Sequence, residues 1–260
     1  MSLFAKVNKG TKAKAEKDSL GGSRLFDSGL VDFDIEVAFI SIAKSGAMAL
    51  NVHCKETDGA RTFRVQEWIY SGDAKGNRNT HEKDGEEFFL PGWNVGNAIS
   101  QLAADRTLDS LTDDDVEDRV IKLYDFTAKA ETNQTVKSIG YLKGTKITFG
   151  VLKELVDKNV KNDAGEYVAS GETREQNVVG KVFHTDTGCT LSELVDLEEG
   201  VAPEAKFRDD WAEKFNGTVR DKSSKNTSGA KSGAPQGKLA GAGAGAAKPT
   251  GSLFGNKDKG

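Results

Sequence analysis

The chain is 260 residues long, 37% hydrophobic and 29% charged, with a net charge of −4; that length supports one sizeable core, and the polarity implies that part of the chain stays outside it. No apolar run approaches the roughly 20 residues of a membrane-spanning helix, and residues 1–17 lack the apolar centre of a secretion signal, so a soluble cytoplasmic protein without membrane partners is expected. Two cysteines far apart, Cys54 and Cys189, exclude a disulfide framework and fit free thiols in a reducing compartment.

Residues 1–22 are rich in Lys, Ala and Gly and end in Gly21-Gly22, the texture of a mobile basic arm. Leu25-Phe26-Asp27 opens a turn into a strand over Val31–Ile42, whose alternation places Phe33, Ile35, Val37 and Phe39 on one side. After the Ser45-Gly46 turn, Ala47–Cys54 completes a hairpin, and Thr62–Tyr70 adds a third strand. Residues 71–86 are a charged, glycine-containing excursion; Glu87–Trp93 returns as a short strand closed by Pro91-Gly92. Asn94–Asp105 has helical spacing (Val95, Ile99, Leu102) with Asn94 as its cap.

Val116–Phe126, Lys146–Val156 and Arg174–Thr185 read as further strands, the second open to a helical reading, and short helices are expected at Leu191–Leu197 and Ala205–Phe215. From residue 217 to 260 the chain loses its apolar content and runs through a Gly-Ala tract at Gly241–Ala247, the composition of a disordered tether. Five to seven strands with inserted or terminal helices predict a mainly β or α+β fold over residues 23–216, a Greek-key barrel of the oligonucleotide-binding type flanked by disordered arms. An open β-sandwich fits the strand count nearly as well.

Charge is unevenly spread. Met1–Arg24 carries six basic residues against two acidic ones and Asn216–Gly260 eight against two, so the ends are +4 and +6 and the stretch between them is −14. An acidic body with basic ends is not the simple basic patch of a nucleic-acid binder.

Catalytic patterns do not assemble. Asp113-Asp114-Asp115 reads more readily as an acidic turn than as a metal site. His53, His81 and His184 lie on different elements without ligand spacing, and the Gly-Ala tract neither follows a strand nor opens a helix as a phosphate loop must. No enzyme, metal or cofactor is expected.

The informative stretch is Arg61–Tyr70. Alternation turns Phe63, Val65, Glu67 and Ile69 one way and Arg64, Gln66, Trp68 and Tyr70 the other. A face with a guanidinium and two large aromatics suits unpaired DNA, because bases stack on flat rings while cations follow the phosphates. Lys75, Arg78 and Lys83 in the next loop supply mobile positive charge, and Trp93 is a second stacking candidate. The competing reading packs Trp68 and Tyr70 under a loop or against the helix near Asn94, and the basic loop as a solvated tip.

Arg24-Leu25-Phe26-Asp27 after the Gly-Gly hinge, Phe88-Phe89-Leu90-Pro91-Gly92-Trp93, and Gly171-Glu172-Thr173-Arg174 leading into Lys181-Val182-Phe183-His184-Thr185 form an ordered series. It resembles the single-stranded DNA-binding proteins of podophages that package a virion RNA polymerase. The resemblance runs from about Leu3 to about Leu194 and implies a non-catalytic accessory of replication, recombination and transcription in the cytoplasm of a bacterial host cell, with an oligonucleotide-binding barrel. It fixes no individual DNA contact. Many such proteins end in an acidic tail; this one ends in a basic tail, which puts the acidic-tail mechanism in doubt.

Ser-Leu-Phe recurs at Ser2-Leu3-Phe4 and Ser252-Leu253-Phe254. Leu253 and Phe254 read as docking plugs for a phage replication, recombination or transcription enzyme or for a second copy of the chain; chance explains a three-residue repeat equally well. A phage structural or scaffolding protein with assembly tails is the alternative function.

Overall fold

A computed structural model describes residues 25–125, 128–163, 165–195 and 201–224. The arms at residues 1–22 and the tail beyond residue 224, including Leu253 and Phe254, lie outside the described residues. The described residues cluster into two compact units, one within residues 25–154 and 175–220 and the other within residues 155–174 and 221–224.

Among the described residues, the elements are β1 (Gly29–Ile42), β2 (Met48–Glu56), β3 (Thr62–Tyr70), β4 (Thr80–Lys83), β5 (Glu86–Phe89), α1 (Pro91–Ala104), β6 (Val116–Asp125), β7 (Ala130–Ile139), β8 (Lys146–Lys161), β9 (Tyr167–Phe183), α2 (Leu191–Val195), α3 (Lys206–Phe215) and β10 (Val219–Asp221). The fold is mainly β, with antiparallel pairing of β1 to β2, β7 and β8, of β2 to β3, and of β6 to β7. The β4–β5 hairpin forms a small sheet of its own.

Among the described residues β3 pairs with β2 alone, so the main sheet is open at that edge and does not close into a barrel. β7 was not anticipated, because its polar sequence Ala-Glu-Thr-Asn-Gln-Thr-Val-Lys carries little strand signal by itself. Its ladder to β6 and its short pairing with β1 supply what composition does not.

The core of the first unit gathers Phe26, Phe33, Phe63 and Phe149 into a mutually packed aromatic cluster, with ring centroids 5.3–6.1 Å apart. Ile35, Leu50, Val52, Val65, Ile139 and Ile147 extend it. Two bulges decide which side chains join it. Ile35 and Val37 pair with the consecutive residues Cys54 and His53, so Glu36 is an extra residue in β1. The inserted residue reverses the alternation beyond it. Phe33 and Ile35 therefore face the core as expected, whereas Val37 and Phe39 are turned to the opposite face. A second bulge, at Ile69 between the pairs Ala49–Trp68 and Met48–Tyr70, does the same to the end of β3.

α1 starts at Pro91, which fits the first helical turn because its missing N–H has no partner there. Asn94 is inside the helix rather than its cap, and Pro91-Gly92-Trp93 is not a strand end. Gly92 abuts β3: a Cβ there would sit 2.3 Å from the Trp68 carbonyl oxygen and 2.8 Å from its nitrogen. Gly92→Ala is therefore expected to cost about 2–3 kcal/mol of stability, since neither backbone can yield without moving a packed element; urea unfolding measures it.

α3 makes a second, smaller core, with Trp211 packed with Leu152 and Phe183. The indole lies so close to Gly150 that a Cβ would meet the ring at 2.7 Å. Residues 217–218, expected as the start of the tail, belong to the fold: Gly217 N donates to Ser28 O (2.8 Å), and Ser28 Oγ donates to Thr218 O.

In the second unit, residues 155–174 form the far part of the β8–β9 hairpin, with a Lys158–Glu172 ion pair at 2.9 Å. There Lys222 N donates to Leu155 O.

Candidate nucleic-acid interface

Directly opposed residues in an antiparallel sheet project to the same face. Following the register across β1, β2 and β3, the face opposite the main core carries Val37, His53 and Arg64 in one row, Phe39, Asn51 and Gln66 in the next, and Ser41, Ala49 and Trp68 in the third; Val37, Phe39, Ala49 and Asn51 are buried, and the exposed members are those of β3, Arg64, Gln66 and Trp68.

Trp68 is 46% exposed. The residue opposite it is Ala49, whose methyl is too small to cover an indole. Arg64 is exposed and forms no ion pair among the described residues. Between them a hydrogen-bonded chain crosses the strands: Gln66 Nε2 donates to Asn51 Oδ1 (3.0 Å), and Asn51 Nδ2 donates to Ser41 Oγ (2.8 Å). Each amide is thereby held in place, and the Gln66 carbonyl oxygen keeps its acceptor capacity.

His53 stands edge-on to Phe39, with ring centroids 5.5 Å apart. Burial, reinforced by the neighbouring Arg64 charge, pushes its pKa down to about 4. The imidazole is neutral at physiological pH, so Arg64 alone gives that row its charge.

The face continues past β1, because Phe39 pairs with Ser138 of β7 and Ser138 with Glu117 of β6. On the hairpin this side carries Arg119, Ile121 and Leu123, which are half-buried, while Val120 and Tyr124 on its other side are exposed. Arg119 Nη1 donates to the carbonyl oxygen of the bulged Glu36 (3.1 Å), tying the hairpin to β1.

Two expected platform residues are elsewhere. The bulge at Ile69 turns Tyr70 to the core face, where it packs at right angles to Trp93, with centroids 5.5 Å apart. Trp93 lies on α1 and is 5% exposed, covered also by the stacked ring of Phe89 at 6.1 Å. Both are structural residues here, and the packing of Trp93 follows from its position in the first turn of a helix laid on β3.

Lys75 and Arg78 are exposed in the loop between β3 and β4 and form no ion pairs among the described residues. Lys83 is on β4 opposite Glu86, in a hairpin that also carries Glu82, Asp84 and Glu87. Its surroundings are acidic, unlike those of Lys75 and Arg78. The structure thus brings Arg64 and Trp68 onto one face and separates Tyr70, Lys83 and Trp93 from it. No local pattern links Asn51, His53 and Phe39 to the outward face of β3; the register, set by the two bulges, makes them neighbours of Arg64 and Gln66.

The acidic turn at Asp113–Asp115 has an internal use. Asp115 receives two hydrogen bonds from Arg106 (2.6 and 2.9 Å) and closes a capping box with Thr112. The Arg106 hydrogen bonds, with those from Thr112, hold the Asp115 carboxyl well below the usual carboxylate range. Cys54 and Cys189 are buried free thiols, and burial pushes the Cys54 pKa up to about 12, which makes it a packing residue. Among the described residues no helix is long and apolar enough to cross a membrane. Comparisons with protein-family models, with curated proteins and with solved structures find no match.

Proposed function

We propose that this chain is a non-enzymatic, sequence-tolerant single-stranded DNA-binding protein that coats and protects unpaired DNA during phage replication, recombination and transcription. The observation that carries the reading is the outward face of β3, where a half-exposed indole, an oriented amide and a guanidinium with no ion pair among the described residues lie at successive outward positions. Stacking on Trp68 is indifferent to base identity, since every base has a flat face, and Arg64 meets the phosphate chain beside it. Gln66 and neutral His53 add hydrogen-bonding capacity without adding charge.

An open sheet with α1 between the third strand and the later hairpin is, in this reading, an unclosed variant of the oligonucleotide-binding barrel. The body is acidic, so the attraction for phosphate is local, through Arg64, Lys75 and Arg78, and is supplemented by the basic ends.

The test is a titration with oligo(dT) at low salt. Of the three tryptophans, Trp93 and Trp211 are buried, so quenching should be partial and should disappear in Trp68→Phe, which keeps a ring but removes the reporter. Affinity should fall as salt rises, with a log–log slope of about −0.7 per phosphate contact. Unchanged fluorescence and mobility in excess oligo(dT) would reject the proposal. Large stable oligomers indifferent to DNA on a sizing column would favour the scaffolding role instead.

A further inference from the structure

We propose that the cleft beside the β4–β5 hairpin is a docking site for this chain's own Ser252-Leu253-Phe254-Gly255 segment. The inference is independent of the DNA-binding face. The cleft is about 500 Å³ and is lined by His81, Lys83, Glu87, Phe88, Phe89 and Asn94. Phe88 and Phe89 are 44% and 52% exposed, a large apolar surface for a four-residue strand.

The register adds a second observation. Glu82 is directly opposite Glu87, so two carboxylates face each other across the hairpin on the side that also carries Phe89. Like charges at directly opposed positions destabilise a two-stranded ladder. Thr80 Oγ1 donates to Glu87 Oε1 (2.5 Å), but among the described residues no cation pairs with either carboxylate. With Asp84 and Glu86 against Lys83, the hairpin carries a charge of −3. A ligand that relieves this must bring positive charge and an apolar group together.

The chain contains such a ligand. Residues 225–260 carry six lysines against Asp258, and Phe254 is their single aromatic residue, with Leu253 beside it and Lys257 three positions on. Leu253 is 29 residues beyond Ser224, a length of chain that extends to at most about 100 Å. Of the four carboxylates only Glu87 lines the cleft, with Lys83, while the net negative charge of the hairpin as a whole favours the basic segment over a phosphate chain.

The test uses the full chain with photoreactive benzoylphenylalanine in place of Phe254, irradiated without DNA. Cross-links should concentrate within residues 79–94, and Phe88→Ser or the pair Glu82→Gln, Glu87→Gln should each reduce them about five-fold or more. Screening at 0.5 M salt should reduce them as well. Mixing isotopically light and heavy chains shows whether the segment comes from the same molecule or a second copy; either supports the docking. Absent cross-links, or cross-links elsewhere that these substitutions leave unchanged, overturn it. So does displacement by oligo(dT) combined with weakened DNA binding in Phe88→Ser, which would assign the cleft to DNA. Because the first reaction contains no DNA, its failure leaves the DNA-binding proposal untouched, and the converse holds.

Discussion

Trp68→Ala is expected to weaken oligo(dT) binding by about 5- to 100-fold while leaving the fold intact. The magnitude follows from base–aromatic stacking, about 1–3 kcal/mol per base, with about 1.4 kcal/mol to each factor of ten. The fold should survive because Trp68 is about half exposed and lies outside the main core; it is the Trp68 backbone that α1 packs against. Arg64→Ala should act differently. It removes the proposed phosphate contact, so the affinity loss should shrink as salt rises and the salt slope should fall by about 0.7.

Trp93→Ala separates the readings further. Its indole is buried between Tyr70 and Phe89, and truncating it should cost about 3–5 kcal/mol of stability. Anisotropy titrations at several salt concentrations, paired with urea melts, distinguish all three. Full affinity in both Trp68→Ala and Arg64→Ala would move the interface off this face.

The second large effect is on the pH dependence of stability. Glu67 is half-buried on the core side of β3, opposite Leu50, and burial pushes its pKa up to about 7. Between its unfolded value near 4.5 and about 7, the folded state keeps a proton that the unfolded state has released. Stability attributable to Glu67 is therefore fully present below pH 4.5 and is lost as the pH rises through 7. The upper limit of that loss is the shift converted at 1.36 kcal/mol per pH unit, so Glu67→Gln should stabilise the protein by about 1–3 kcal/mol at pH 8 and by nothing at pH 4.

His53 has the opposite sign. Its folded pKa, about 4, lies below its unfolded value of 6.5, so its contribution is present above pH 6.5 and is lost as the pH falls through 4. The two windows overlap between pH 4.5 and 6.5, where the slopes oppose. Glu67→Gln should expose the His53 slope, making stability rise with pH across that interval. Thermal melts at half-unit steps test this; a Glu67→Gln profile parallel to that of the parent would refute the assignment.

How far the sequence could be read is clearest on β1 and β3. The alternation that puts Phe33 and Ile35 inward, and Arg64 and Trp68 outward, holds until a bulge intervenes. An inserted residue changes no composition and leaves no periodic signature, so the reversal at Val37 and Phe39 and the turning of Tyr70 are visible only in the pairing. α3 was legible from its apolar spacing, and α1 was misplaced by three residues because Asn94 is a good cap in isolation, whereas Pro91 suits the first turn better. β7 shows the remaining limit. A polar strand earns its place from the partner beside it, and no local rule carries that partner's identity.

The Ser28 hydroxyl has a temporal consequence. It accepts from Lys153 N (2.8 Å) and donates to Thr218 O, so one oxygen joins parts of the chain that are 190 positions apart. During synthesis, β1 waits for that last tie until nearly the whole body has left the ribosome. The indole that covers Gly150 arrives equally late. Such long-range closure is slow, so the sheet is completed only once the segments around Gly150 and Thr218 are both available.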